Sequence, residues 1–147
     1  MAVKPIPEGY HSITPYLVVN GAAKVMEFMK QAFGAQEIMQ MPGPNGTIAH
    51  AEVKIGDSIV MLADGGDRYP AKPTNLMLYV SNVDDVYKQA LAVGGTSERE
   101  PADQFYGDRS AGVIDAGGNH WWISTHVEDV APDELERRAA AMAHKAA

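Results

Sequence analysis

Apolar and polar positions fall into short blocks along the chain, and the blocks predict alternating strands and helices. Ile13 to Val19 (ITPYLVV) is apolar on both faces and predicts a short strand buried on both sides. Asn20-Gly21 follows, and Asn20 is placed to cap a helix. Within Ala22 to Phe33, the residues Val25, Met29 and Phe33 recur at helical spacing, which predicts an amphipathic helix closed by Gly34. Gln36 to Met41 alternates weakly and predicts a strand. The cluster Pro42-Gly43-Pro44-Asn45-Gly46 turns the chain, with Asn45-Gly46 as a hairpin signal. The returning strand, Thr47 to Ile55, places His50, Glu52 and Lys54 on one face and Ala49, Ala51 and Val53 on the other. Gly56-Asp57 leads into a fourth strand, Ser58 to Ala63, and then into a loop from Asp64 to Pro73 rich in Gly, Asp and Pro.

The second half repeats this order. Asn75 to Val80 predicts a strand, and Asn82 to Val93 a helix with Val83, Val86, Ala90 and Val93 on one face, ended by Gly94-Gly95. Ser97 to Pro101 predicts a strand and Ala102 to Asp108 a loop. Ser110 to Asp115 and Asn119 to His126 predict a hairpin around Gly117-Gly118. A constant offset of 61 residues pairs Leu17 with Leu78, Val19 with Val80, Val25 with Val86 and Gly34 with Gly95. The same offset pairs Gly46 with Gly107 and Gly56 with Gly117. Strand residues match strand residues and turn glycines match turn glycines, so both halves read β-α-β-β-β. A last helix is predicted from Pro132, with Asp133 and Glu134 in its first turn and His144 and Lys145 near its end.

The fold class expected is therefore α+β: two tandem βαβββ modules forming a cupped mixed sheet, plus a C-terminal helix. The expected parts are an N-terminal arm (1–12), a first module (13–64), a linker loop (65–73), a second module (74–127) and the C-terminal helix (128–147). All belong to one domain, as a length of 147 residues suggests.

Composition narrows the chemistry. Hydrophobic residues make up 46% of the chain, enough for a sizeable core. The 19 acidic residues outnumber the 12 Lys and Arg for a net charge of -7, which argues against nucleic acid or an anionic membrane as a partner. Cysteine is absent, which excludes disulfides, thiolate metal sites and cysteine nucleophiles. The opening MAVKPIPEGYHS lacks the apolar core of a signal peptide, so a cytoplasmic location is expected. No phosphate loop, dinucleotide fingerprint or nucleophile elbow is present.

Three segments, ITPYLVVNGAAKVMEFMKQAFGA, MPGPNGTIAHAEVKIGDSIVMLAD and DQFYGDRSAGVIDAGGNHWWISTHVEDV, together resemble the vicinal oxygen chelate superfamily of glyoxalases, bleomycin-resistance proteins and extradiol dioxygenases. The nearest branch is the PhnB-like proteins, and the resemblance runs from about Pro5 to the C-terminal helix. It implies paired modules around a cleft, in a homodimer. Enzymes of the superfamily hold a divalent metal with side chains from the first and last strands of each module. In this sequence those positions are Thr14, Met61, Asn75 and Trp122. None is His, Asp or Glu, and Met and Trp are poor ligands for such an ion. The resemblance thus points toward the metal-free members that bind or sequester small molecules, with no cofactor.

Other constellations bear on the site. His50 and Glu52 share a strand face and read either as two metal ligands or as a solvated pair. His120, Ser124 and His126 share a parity and offer a general base or a hydrogen-bonded surface His. Phe105, Tyr106, Asp108 and Arg109 form a dense loop in which Arg109 could fork onto a carboxylate or phosphate, with Asp108 neutralising it meanwhile. The first strands carry Thr14, Tyr16 and Val18, then Asn75, Met77 and Tyr79. With Met61 and Trp122 these make a lining suited to a flat or apolar ligand. The expected ligand-binding set is Thr14, Tyr16, His50, Met61, Asn75, Tyr79, Phe105, Arg109, His120 and Trp122, with no metal. The expected function is metal-independent small-molecule binding in a cleft between the modules. The alternatives are a metal-dependent lyase, transferase or dioxygenase with a displaced site around His50, Glu52 or His120, and a ligand-free dimeric scaffold.

Overall fold

A computed structural model describes residues 2–146. Met1 and Ala147, at the ends of the expected arm and tail, lie outside the described residues. The strands are β1 (Tyr16–Val19), β2 (Gln36–Pro42), β3 (Ile48–Ile55), β4 (Ser58–Asp64), β5 (Asn75–Tyr79), β6 (Thr96–Asp103), β7 (Asp108–Ile114) and β8 (His120–His126). The α-helices are α1 (Ala22–Phe33), α2 (Val83–Ala92) and α3 (Pro132–Ala146). Two four-stranded mixed sheets result, in the orders β1-β4-β3-β2 and β5-β8-β7-β6. Each sheet has one parallel pair, β1 with β4 and β5 with β8, closed by the crossover helix between them. This is two βαβββ modules in tandem with a C-terminal helix.

The repeat offset carries the strand register of one module onto the other. Tyr16 lies opposite Met61 in the first sheet, and Met77 lies opposite Trp122 in the second. One face of each sheet carries its helix. On the first sheet Leu17, Val19, Ala51, Val53 and Leu62 are buried there, together with Val25, Met26 and Met29 of α1. On the second, Ala111, Val113, Trp121 and Ile123 are buried with Val83 and Ala90 of α2. The helices also pack on each other, so one hydrophobic cluster runs through both modules. Phe33 of α1 meets the Trp121 ring at 4.8 Å between centroids. Gly95 makes the close approach of the modules possible: a Cβ there would lie 2.6 Å from Val113 and 3.1 Å from Phe28.

Two local expectations are corrected. The first strand begins at Tyr16, after Pro15, which has no N–H to give a ladder. Its other face is open rather than buried, with Tyr16 47% exposed; Ile13, expected in the strand, precedes it and is 87% exposed. Asn20 does not cap α1. The cap residue is Gly21 at φ 83°, and no side chain of the segment itself caps the helix. Asp64, at the end of β4, supplies the acceptor instead: its Oδ1 takes the N–H of Gly21 and of Ala22, each at 2.9 Å, and its Oδ2 that of Ile48 at 2.8 Å. In α2 the cap does come from the residue before the helix, since Asn82 accepts the Asp85 N–H at 3.2 Å.

The hairpin between β7 and β8 is held by one carboxylate. Buried Asp115 accepts from the Gly117 and Asn119 backbone, from the Asn119 amide and from the Trp121 indole at 2.8 Å. No helix of the described residues is long and apolar enough to cross a membrane.

Candidate functional site

Side chains alternate across a strand, so residues that do not pack on the helices project from the opposite, concave face of each sheet. On the first sheet these are Tyr16, Val18, His50, Glu52 and Met61, with Thr14 just before β1. On the second they are Asn75, Met77, Tyr79, Asp108, Ser110, His120, Trp122, Ser124 and His126. Both faces expose large side chains: Tyr16, Met77 at 51% and Tyr79 at 59%.

On the first face, four side chains form a continuous hydrogen-bonded chain. Tyr10, from the N-terminal arm, donates its hydroxyl to Oε1 of Glu52. Oε2 of Glu52 lies 2.7 Å from Nε2 of His50, and Nδ1 of His50 lies 2.9 Å from the Tyr16 hydroxyl. Glu52 is buried, and the Tyr10 hydroxyl and the His50 ring hold its carboxyl below the usual carboxylate range despite that burial. An ionised Glu52 only accepts, so Nε2 of His50 carries a proton and donates it to the carboxylate. The His50 and Tyr16 rings stack at a tilt, 5.4 Å apart.

Three grooves adjoin this face. One of about 490 Å³ is lined by Tyr16, Val18, Ala49, Ala63, Asp64 and Tyr69. A second of about 370 Å³ shares Tyr16, Val18 and Tyr69 and continues onto Arg68, Pro70 and Lys72 of the linker. The linker lies along β1, with the Lys72 N–H on the Val18 carbonyl at 3.1 Å. The third groove, about 380 Å³, runs beneath the arm beside Thr14, Glu52 and Met61. Between the modules a smaller space of about 210 Å³ is lined by Ile13, Thr14, Ile59, Leu76, Met77 and Trp121 among others.

The second face is more closely self-paired. The Trp122 indole N–H donates to Asn75 Oδ1 at 3.1 Å, and the Arg99 guanidinium sits 5.1 Å from its ring centroid. The ring covers Gly112, where a Cβ would approach it to 2.6 Å. His120 Nδ1 lies 2.6 Å from Glu98 Oε2. Tyr79 donates to Asp108 Oδ2 at 2.7 Å, while His126 places Nδ1 2.8 Å from Asp108 Oδ1 and Nε2 2.7 Å from Asp129. Those two carboxylates raise the His126 pKa above the ordinary imidazole value, and Asp108 likewise raises that of Tyr79.

The structure therefore divides the sequence-derived candidates. Thr14, Tyr16, His50 and Met61 share the first face. Asn75, Tyr79, His120 and Trp122 share the second, and none of these four lines the grooves on the first. Phe105 packs edge-on against Tyr106 in the turn before β7, and its carbonyl accepts from Arg138 of α3. Arg109 points to the helix side of β7. There its guanidinium grips Asp84 of α2 at 2.8 and 2.9 Å and Asp103 at 3.2 Å. Asp108 is its neighbour on an extended strand and faces the other way, so it does not neutralise Arg109. Sequence reasoning missed Tyr10 and Tyr69, which lie in segments without periodicity. The one available signal was an aromatic inside an otherwise polar stretch.

The donor set does not fit a divalent ion at the positions that the resemblance indicates. Thr14 and Met61 supply weak donors, and the Asn75 oxygen already accepts from Trp122. Among the described residues no three His, Asp, Glu or Cys side chains converge as a metal cluster would require.

The profile of the Glyoxalase/Bleomycin resistance protein/Dioxygenase superfamily matches residues 9–123. The chain belongs to this superfamily. A relative in Mycobacterium bovis, the uncharacterised protein Mb0911c, is 35% identical over 136 residues, covering 85% of this chain and 90% of its own. Among solved structures, TioX from Micromonospora sp. ML1 is similar with a TM-score of 0.69 at 24% identity, over 80% of this chain and 99% of that one. TnmS3 from Streptomyces sp. CB03234, described as an antibiotic binding protein, has a TM-score of 0.63 at 20% identity, over 86% and 98%. A Bacillus cereus protein described as a putative 3-demethylubiquinone-9 3-methyltransferase, PhnB protein, has a TM-score of 0.63 at 19% identity, over 78% and 99%. At these identities the structures show a shared superfamily fold.

Proposed function

We propose that this member of the superfamily binds a small aromatic or apolar molecule, without a metal ion, on the concave face of its first sheet. The observation that carries the reading is the open groove of about 490 Å³ at Tyr16, Val18, Ala63 and Tyr69. Its size is that of small-molecule pockets, and two tyrosine rings provide amphipathic walls. These tyrosines are 47% and 66% exposed, so both rings are open to contact with a ligand. Asp64 and the Tyr16–His50–Glu52 chain add a few fixed polar groups, which is what orients a ligand in an otherwise apolar site. The likeness of the fold to that of an antibiotic binding protein supports a small-molecule ligand. The mismatch of the donor set with a divalent ion supports the metal-free form of the reading.

In this reading the chain works as a homodimer in the cytoplasm. The second copy brings its own second-sheet face, with Asn75, Tyr79, His120 and Trp122, opposite the first-sheet groove. The exposed Met77 and Tyr79 support this, because a face with two large apolar side chains gains by being covered. A thermal-shift screen of planar aromatic compounds in the presence of a chelator tests the binding. Compounds that raise the melting temperature of the wild type and fail to do so for Tyr16→Ala are expected. A screen without such compounds contradicts the reading.

A further inference from the structure

Tyr10 is the only residue of the described arm, 2–12, that is not exposed. It lines the groove of about 380 Å³ together with Pro5, Ile6, Pro7 and Met61, and its hydroxyl reaches Glu52. The Glu52 side chain is only 8% exposed. Its two oxygens are served differently. Oε2 is paired with His50, two residues away on the same strand, so that contact is built into the sheet. Oε1 is served only by the arm. Beyond Tyr10, the arm is tied to the first module by His11 Nε2, 3.1 Å from the Asp57 carbonyl, at the opposite end of β4 from the Tyr69 groove.

A buried carboxylate oxygen needs a donor, and here the donor comes from the N-terminal arm, which belongs to neither sheet. We propose that Oε1 of Glu52 is an acceptor for the hydroxyl of a phenol-bearing ligand, and that Tyr10 fills this position as a resident competitor. The inference rests on the small-molecule reading above and names the ligand class for the same face. A phenol is the class expected because the hydroxyl that Oε1 accepts in the fold is itself a phenol, and the groove beside it leaves room for a ring next to Pro5, Pro7 and Met61. Binding exchanges one phenol–carboxylate hydrogen bond for another. The preference among ligands then comes from the hydroxyl, and the arm sets the threshold concentration.

The test uses p-cresol, which is the tyrosine side chain, and its methyl ether, p-methylanisole, which has the same ring and no donor. Affinities are measured for the wild type, Tyr10→Phe and Glu52→Gln, with the Met61 methyl resonance locating the probe. Tyr10→Phe keeps the ring and removes the competing hydroxyl. It should bind p-cresol several-fold tighter than the wild type and should prefer p-cresol to the ether by about tenfold, the scale of one hydrogen bond to a charged group. Glu52→Gln should lose that preference. Should Glu52→Gln fail to fold, the cresol-to-ether ratio on Tyr10→Phe decides alone. Equal binding of ether and cresol overturns the inference and leaves the Tyr16 groove reading intact. No binding of either to Tyr10→Phe also overturns it, while the separate screen against Tyr16→Ala decides the groove.

Discussion

His126 holds Nδ1 2.8 Å from Oδ1 of Asp108, a buried carboxylate whose other oxygen accepts from Tyr79. Its second nitrogen faces Asp129. Both nitrogens thus meet acceptors, which is the arrangement of an imidazolium. The contact also closes the second concave face, because it joins β7, β8 and the segment leading to α3.

The pairing predicts a pH dependence of stability. Asp108 and Asp129 raise the pKa of His126 in the fold above the ordinary imidazole value. A group with a raised folded pKa stabilises fully below its unfolded pKa, and the effect is lost as pH rises through the folded value. The melting temperature of the wild type should therefore exceed that of His126→Gln by more at about pH 5.5 than at about pH 8.5. Thermal unfolding of both proteins across this range checks it, and a gap that is constant or widens with pH contradicts the assignment.

Asp64→Ala should destabilise the first module. The substitution leaves the Gly21, Ala22 and Ile48 N–H groups without their carboxylate and removes the charge favoured at the start of α1. A lost cap costs ~1–2 kcal/mol, equivalent to a fall of roughly 3–8 °C in melting temperature for a chain of this size. Asp64→Asn, which keeps one acceptor oxygen, should recover part of the loss. By contrast Asn20→Ala should have little effect, since Asn20 caps nothing.

Much of the fold was legible because the signals were local or repeated. Turn glycines, helix-spaced Val25 and Met29 and the offset of 61 residues outlined both modules, and the offset carried through to the register of Tyr16 with Met61 and Met77 with Trp122. The parity of His50 and Glu52 placed them together correctly on one face. What was not legible depends on distant residues. The cap of α1 comes from Asp64, about 40 positions later in the chain, and no local pattern announces it. Tyr10 meets Glu52 by the same kind of long-range contact. Arg109 illustrates a boundary effect. Read as loop, Asp108 and Arg109 could point anywhere; because β7 starts at Asp108, alternation sends them to opposite faces.

That boundary yields a further prediction. Arg109 ties α2 to the edge of the second sheet through Asp84 and Asp103, and lies away from both concave faces. Arg109→Ala should lower the melting temperature slightly, as exposed ion pairs contribute little. It should leave ligand affinity unchanged. A large loss of binding with an intact fold would place Arg109 at the ligand and contradict its assignment to the helix side.

The most direct test of the account is a calorimetric titration of an aromatic compound found in the thermal-shift screen, run in excess chelator on the wild type and on Tyr16→Ala. Tyr16 lines two of the three grooves on the first face and ends the chain through His50 to Glu52. The account predicts saturable binding by the wild type without any metal and an affinity at least tenfold weaker in Tyr16→Ala, the scale set by removing an aromatic anchor that the ligand covers. Binding that requires a divalent ion, or an affinity that Tyr16→Ala leaves unchanged, would contradict it.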